Sequence, residues 1–257
     1  MTGEEREVAD KELNDKVAIV TGAGRNIGRA IALVLADDGA SVAVVVRSNK
    51  AEADAVVKDI AGKGGKALAL LADISDAKAV QAMADATLKQ FGRIDILVNN
   101  AALRREKDIA DMSYAEWREV MDVTLDGAFH CVKACLPALK RNGGTIVNIG
   151  GMSAHIGSKH RAHVIAAKLG LVGFTRGLAH DLATDRIAVN CVVPGAIDTP
   201  RAASAQKPGH HLTHGTITGE RGRPEDVAAM VRFLCGPSRR YITGQALHVN
   251  GGAYLGV

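Results

Sequence analysis

The eight residues TGAGRNIG at 21–28 have the composition of a phosphate-binding turn. Gly22 permits a tight turn, Gly24 lets the backbone approach a pyrophosphate, and Gly28 lets the following helix pack closely on the preceding strand. The free amides at the helix start, across Arg25, Asn26 and Ile27, then face the phosphates. A glycine cluster alone is a weak sign. One that ends a strand and opens a helix inside a βαβ unit is a strong one. About 20 residues further on, a site for NAD usually offers an acidic residue to the ribose hydroxyls. Here the second strand ends VVVRSNK (44–50), with no carboxylate. Arg47 stands there with Ser48, Lys50 is close by, and Arg25 adds a positive charge in the turn. A guanidinium fork suits a 2′-phosphate, so these residues favour NADP(H) over NAD(H). The competing reading is an exposed arginine on a loop.

The elements that must position this turn follow from the hydrophobic pattern. Short β-branched runs alternate with longer Ala-rich amphipathic runs. Strands are expected at 17–22, 41–47, 67–73, 95–101, 144–150, 187–195 and 246–252, with helices at 26–39 and 51–64 and in the remaining intervals. About seven strands with helical crossovers predict an α/β chain: a Rossmann-like, doubly wound parallel sheet with helices on both faces. The opening MTGEEREVADKELNDK lacks the apolar stretch of a signal peptide and reads as a flexible leader over 1–14. No Pro/Gly/Ser-rich linker divides 15–257, which reads as one dinucleotide-binding domain. The patternless stretch 200–222, PRAASAQKPGHHLTHGTITGERG, reads as a lid loop over a site.

Composition excludes several classes. The chain has 257 residues, 47% hydrophobic but only 3% aromatic, which suits a core of Val, Ile, Leu and Ala under a parallel sheet. Net charge is +4 without a basic run, which argues against nucleic acid. No apolar run approaches the ~20 residues of a membrane span. Cys131, Cys135, Cys191 and Cys235 read as buried thiols in a reducing cytoplasm; no metal site is expected. The segment 164–182, VIAAKLGLVGFTRGLAHDL, is apolar around much of its circumference. A helix of that kind must be covered on a second face, which predicts a homo-oligomer, a dimer or tetramer.

The chain resembles the short-chain dehydrogenase/reductase family, in particular its 3-oxoacyl-ACP-reductase-like members, from about residue 14 onward. TGAGRNIG is similar to the family's TGxxxGxG, with Asn26 in place of its middle glycine. LLADIS (70–75) places Asp73, followed by Ile74, where the family binds adenine. VNNAA (98–102) resembles NNAG except for Ala102, and carries Asn99 and Ala101. VNCVVPGAIDTP (189–200) matches the family's PG motif, which implies Pro194, Gly195, Ile197 and Thr199 beside the nicotinamide. GRPEDVA (222–228) and YITGQALHVNGG (241–252) match its C-terminal signature. The resemblance implies oxidation of alcohols or reduction of ketones on a small-molecule substrate, and many members are tetramers.

It also implies a catalytic set of Asn, Ser, Tyr and Lys. In MDVTLDGAF (121–129) Thr124 occupies the asparagine's place; Gly151 and Val164 stand at the serine and tyrosine positions; only Lys168 remains, suited to holding the nicotinamide ribose. A tyrosine one turn before the lysine would share its helix face and act as general acid, an effect of roughly 10²–10⁴-fold. Four neighbours are candidate substitutes. Ser153, if the chain is still extended, lies on the side of Gly151 but ~6–7 Å further along. His155 lies on the following loop, and His160 shares the face of Val164 if the helix starts early enough. His163 sits about 100° around the axis, where it more naturally meets a packing partner. Arg104 and Arg105, where the family's cleft begins, could bind an anionic substrate. Two functions follow: an NADP(H)-dependent oxidoreductase with a non-standard centre, or a cofactor-binding homologue without turnover, as a sensor or partner subunit.

Overall fold

The computed structural model describes residues 11–199, 215–239 and 241–256. The seven expected strands are β1 (Val17–Thr21), β2 (Ser41–Val46), β3 (Ala67–Leu71), β4 (Ile96–Asn99), β5 (Gly144–Ile149), β6 (Ile187–Pro194) and β7 (Ala246–Val249). They form one sheet in the order β3-β2-β1-β4-β5-β6-β7, every pairing parallel. The α/β architecture is therefore the Rossmann-like, doubly wound one. Each strand stops one to three residues short of its expected C-terminal end. β1 and β6 are buried along their whole length, as strands covered on both faces must be.

The helices are α1 (Asn26–Asp37), α2 (Lys50–Gly62), α3 (Ala77–Phe91), α4 (Tyr114–Met121), α5 (Gly127–Asn142), α6 (Ser153–Ile156), α7 (Ala162–Asp181) and α8 (Pro224–Cys235). α1, α2 and α8 pack on one face of the sheet, with Ile31, Leu35, Val56, Ile60, Val231 and Leu234 in its core. α3 and α5, with the end of α7, cover the other through Val80, Met83, Cys131, Cys135 and Leu139. All four cysteines are buried free thiols. Burial pushes Cys131 up to about 12, so it stays protonated and packs as an apolar side chain. The strand order reverses between β1 and β4, whose carboxyl ends open a crevice where an open α/β sheet binds its ligand.

Several sequence expectations need correction. Leu13 is only 1% exposed, and its amide donates to Asp38 O, so the packed chain begins before the expected boundary at 14/15. Ser153 is not on an extended chain: it opens the short helix α6, which turns its side chain off the strand direction. His155 belongs to the same helix rather than to a loop. His160 does not share the face of Val164, because α7 starts only at Ala162 and His160 stands before it at φ +57°. Residues 122–126 form a π turn between α4 and α5, which no hydrophobic periodicity announces. Of the expected lid loop, 200–214 lies outside the described residues. Its later part is anchored: Ile217 N donates to Gly251 O (2.7 Å), and Gly222 bridges to Ile197.

Candidate functional site

The glycine turn is built to exclude side chains. A Cβ on Gly28 would stand 2.2 Å from Gly22 O, and one on Gly24 would stand 2.9 Å from both Val46 and Glu52. Asn26 adopts φ +50°, a left-handed conformation that asparagine tolerates better than most residues. The amides of Ile27 and Gly28 lie in the first turn of α1, which presents unpaired N–H groups and the positive end of its dipole. The turn is locked to the end of β4 by side chains of the two motifs themselves. Thr21 Oγ1 accepts from the amides of Asn100 (3.0 Å) and Ala101 (3.1 Å). Asn100 Nδ2 donates to Thr21 O (2.8 Å) and Gly22 O (3.1 Å). Thr21 and Asn100 stand inside the two motifs, but their locking role depends on β1 and β4 being adjacent. The cradle fits a dinucleotide: backbone amides, no intruding side chain, and a helix start at the switch point.

At the end of β2, Arg47 and Ser48 are exposed. Asp73, just past the neighbouring strand β3, accepts from Ser75 N (3.0 Å) and Ser75 Oγ (2.7 Å). The Ser75 hydroxyl, and less strongly the Arg47 guanidinium, hold this carboxyl below its ordinary value against the opposing effect of burial. Ile74 is buried against Gly127. Lys50 pairs with Asp54 at 2.7 Å on the exposed face of α2.

On the other side of the crevice, Asn99 Nδ2 donates to Asn148 Oδ1 and Asn148 Nδ2 to Thr175 Oγ1, both at 2.9 Å. This buried chain ties β4, β5 and α7 together. Above it, Lys168 is buried and donates from Nζ to Ile149 O at 2.5 Å. Burial first, then the Arg104 and Arg161 guanidiniums, push its ammonium down to about 7; Cys191 opposes them. Gly151 lies in open space: a Cβ there would meet nothing within 4 Å. Val164 packs with Val120, Ala167, Leu103 and Met121 in a small apolar cluster. Thr124, in the π turn, accepts from Leu103 N at 3.4 Å. Beyond it, Met152 N donates to Pro194 O and Gly195 N to Val249 O, both at 2.9 Å. Ile197 is buried there and Thr199 half-buried.

The expected substitute groups are scattered. His163 is fully buried, with both ring nitrogens lacking a protein partner; burial and Arg161 hold its imidazole below the usual value. His155 packs against His248 (ring centroids 4.7 Å apart) and Tyr254 (5.6 Å), and burial lowers it too. His160 Nδ1 pairs with Asp108 at 3.1 Å. Arg105 is committed to Glu119 at 2.6 Å, whereas Arg104 lies close enough to Lys168 to depress it. The segment from Leu103 to Asp108 is thereby strapped across α4 and the start of α7, with Lys107 N donating to His160 O at 2.7 Å.

The comparisons with known proteins agree with this geometry. A family model described as Enoyl-(Acyl carrier protein) reductase matches residues 22–254. A 3-oxoacyl-[acyl-carrier-protein] reductase from Staphylococcus aureus is 40% identical over 243 residues, which is 93% of this chain and 98% of that one. A short chain dehydrogenase from Burkholderia cenocepacia, solved in complex with NADP, superposes with a TM-score of 0.88 at 36% identity, covering 94% of this chain and 99% of that one. A 7 alpha-hydroxysteroid dehydrogenase complexed with NADH and 7-oxo glycochenodeoxycholic acid superposes with a TM-score of 0.89 at 35% identity, covering 95% and 96%.

Proposed function

This chain belongs to the short-chain dehydrogenase/reductase family, and on that premise we propose that it is an NADP(H)-dependent oxidoreductase acting on a small carbonyl or alcohol through a non-standard centre. The observation that carries this reading is the glycine cradle closed to side chains, with Arg47 at one end and the buried Lys168 across the crevice. Gly22, Gly24, Arg25, Asn26, Ile27 and Gly28 hold the pyrophosphate. Arg47 and Ser48 take the 2′-phosphate, and Asp73 with Ile74 frames the adenine. Asn99, Ala101 and Lys168 bind the nicotinamide ribose; Pro194, Gly195, Ile197 and Thr199 line the nicotinamide. When bound, the cofactor supplies or accepts a hydride. Thr124, Gly151 and Val164 then stand where the family's Asn, Ser and Tyr act, and Arg104 and Arg105 are the candidates to receive an anionic group on the substrate. The chain from Leu13 onward works as one domain. Among the described residues, no helix is long and apolar enough to cross a membrane.

The preference for NADP(H) is a balance of charges. Arg47 and Arg25 favour the extra phosphate. Glu52 opposes it, since its carboxylate would lie 3.0 Å from a Cβ on Gly24. Arg47 can pair with a phosphate through two N–H donors, an interaction worth about 1.5–3 kcal/mol, so the phosphate prevails. Titration of the protein with NADPH and NADH is expected to show roughly 10–100-fold tighter binding of NADPH. Arg47→Asp should reverse that order. Equal affinities in the unaltered protein would remove the assignment. The alternative, a cofactor-binding homologue without turnover, is favoured by one observation: Val164 is packed under Leu103 in an apolar cluster. NADPH binding combined with no oxidation of it by any of a panel of ketones would favour that reading.

A further inference from the structure

We propose that Lys168 is the proton donor of this protein, passing its proton directly to the substrate oxygen rather than through an intervening phenol. The inference rests on the oxidoreductase reading above.

The first argument is position. Lys168 reaches from α7 to the carboxyl end of β5, where Nζ donates to Ile149 O at 2.5 Å. An ammonium has three donors, and the structure pairs one of them. Two residues along the chain from Ile149, Gly151 leaves space in which a Cβ would touch nothing within 4 Å. Val164, one turn before Lys168, turns its short apolar side chain into the Val120–Ala167–Leu103–Met121 cluster. Val164 and Gly151 thus put neither a phenol nor a hydroxyl beside Lys168 and the end of β5.

The second argument is the fate of the other acids. His160 is paired with Asp108, and His155 is stacked on His248 and Tyr254. His163 is fully buried near Glu116, Arg105 and Arg161, on a different face of the helix from Lys168. The groups that bear electrostatically on Lys168 are Arg104 from the loop after β4, Arg161 before α7, and Cys191 on β6. Guanidiniums keep their protons throughout the working range. Burial holds the Cys191 thiol up at about 11, so it too stays protonated. That leaves Lys168 as the group among these that can lose and regain a proton near neutrality. Burial and the two guanidiniums bring it to about 7, which is where a general acid works best.

The step balances. The carbonyl carbon gains a hydride, with its electron pair, from the reduced nicotinamide. The carbonyl π pair becomes the new O–H bond to the proton from Nζ. The N–H pair stays on nitrogen, Lys168 becomes a neutral amine, and a solvent proton restores it. In the direction of alcohol oxidation the neutral amine takes the hydroxyl proton instead.

Two measurements test this. The first needs no substrate: a 13C NMR titration of the lysine Cε signals, with and without NADPH, the Lys168 signal being identified by its loss in Lys168→Met or, should that variant not fold, in Lys168→Arg. A midpoint near 7 is expected. A midpoint near the ordinary lysine value overturns the inference and leaves the proposed function standing. The second is NADPH oxidation against pH with a panel of small ketones and keto acids. The unaltered protein should hold its rate below pH 7 and lose about tenfold per unit above it. Lys168→Arg keeps a charge but alters a ribose-binding side chain, so its rate is measured at saturating NADPH. Its rate should fall by about 100-fold or more and lose the limb near 7. A limb that survives in Lys168→Arg overturns the inference alone; NADPH binding with no turnover of the panel at pH 6 overturns the inference and favours the homologue without turnover. Failure to bind NADPH or NADH overturns the proposed function and the inference with it.

Discussion

Val164 and Gly151 differ in what they would accept. A serine at 151 has room, since its Cβ would meet no atom within 4 Å. A tyrosine at 164 must displace Leu103 or part of the Val120–Ala167–Met121 cluster, at an overpacking cost of about 1–3 kcal/mol. Val164→Tyr alone should therefore lower the thermal midpoint and leave reduction of simple ketones unimproved. Gly151→Ser alone should be close to neutral in stability and gain little rate. The double variant should gain more than the two separate effects, because groups that act as a unit do not return their effect singly. NADPH oxidation by all three, with cofactor affinity checked in each, measures this; strong turnover from Val164→Tyr alone would contradict the proposed centre. At this scale the sequence was informative where spacing on a helix decides, as for Lys168 one turn after Val164. It was uninformative where a local backbone choice decides. The positive φ of His160 and the early coil of Ser153 into α6 removed two candidate acids, and neither is written in a hydrophobic pattern. The pairing of Arg105 with Glu119 was hidden too, since it depends on the chain after β4 lying across α4.

At the scale of elements, the glycine turn and the strands were legible because their residues obey strong local rules. Strand runs fully covered by helices read as mostly Val, Ile, Leu and Ala, and β1, β2 and β6 do so apart from Thr21, Ser41, Asn190, Cys191 and Pro194. The π turn at Asp122–Asp126 was not, for five residues are too few to set a hydrophobic period of their own. The structure supplies a reason for its persistence: Arg118 bridges Asp122 and Asp126 across it, the latter at 2.8 Å. The turn also carries Thr124 toward Leu103. Asn26 offers the cleaner test of an element. Its φ of +50° opens α1 in a conformation that costs most L-residues about 1–2 kcal/mol and costs asparagine less. Asn26→Gly should leave stability within about 0.5 kcal/mol and keep NADPH binding. Asn26→Val should lose about 1–2 kcal/mol by urea denaturation and weaken NADPH binding, because the amides that follow must shift. Equal stability of the valine variant would show that the left-handed conformation is not required.

At the scale of the molecule, α7 has more apolar surface than one chain covers. Leu171, Val172 and Thr175 are buried toward the sheet, and Val164 and Ala167 toward α4. On the outer face Leu169 is 47% exposed, and Gly173 and Gly177 have open space where side chains would stand. Phe129 on α5 is also 47% exposed, its ring 6.5 Å from that of Phe174. Isolated exposed hydrophobes are ordinary, but two on adjoining helices beside side-chain-free glycines form a surface that a second helix pair can approach closely. A two-fold axis would let each copy cover the other's patch with its own. A homo-oligomer is therefore expected, with a mass by light scattering at least twice that of one chain at micromolar concentration. Phe129→Glu combined with Leu169→Glu should shift that mass downward, since each buried carboxylate would face its symmetry mate across an apolar contact. The double variant should keep its circular dichroism, because neither residue is in the sheet core. A second patch lies on the other face of the sheet, where Phe233 on α8 is 38% exposed beside β7. If the assembly is a tetramer, Phe233→Glu should reduce it to dimers that the first pair of substitutions then dissociates. A monomer mass for the unaltered protein would mean that the outer face of α7 is solvated as it stands.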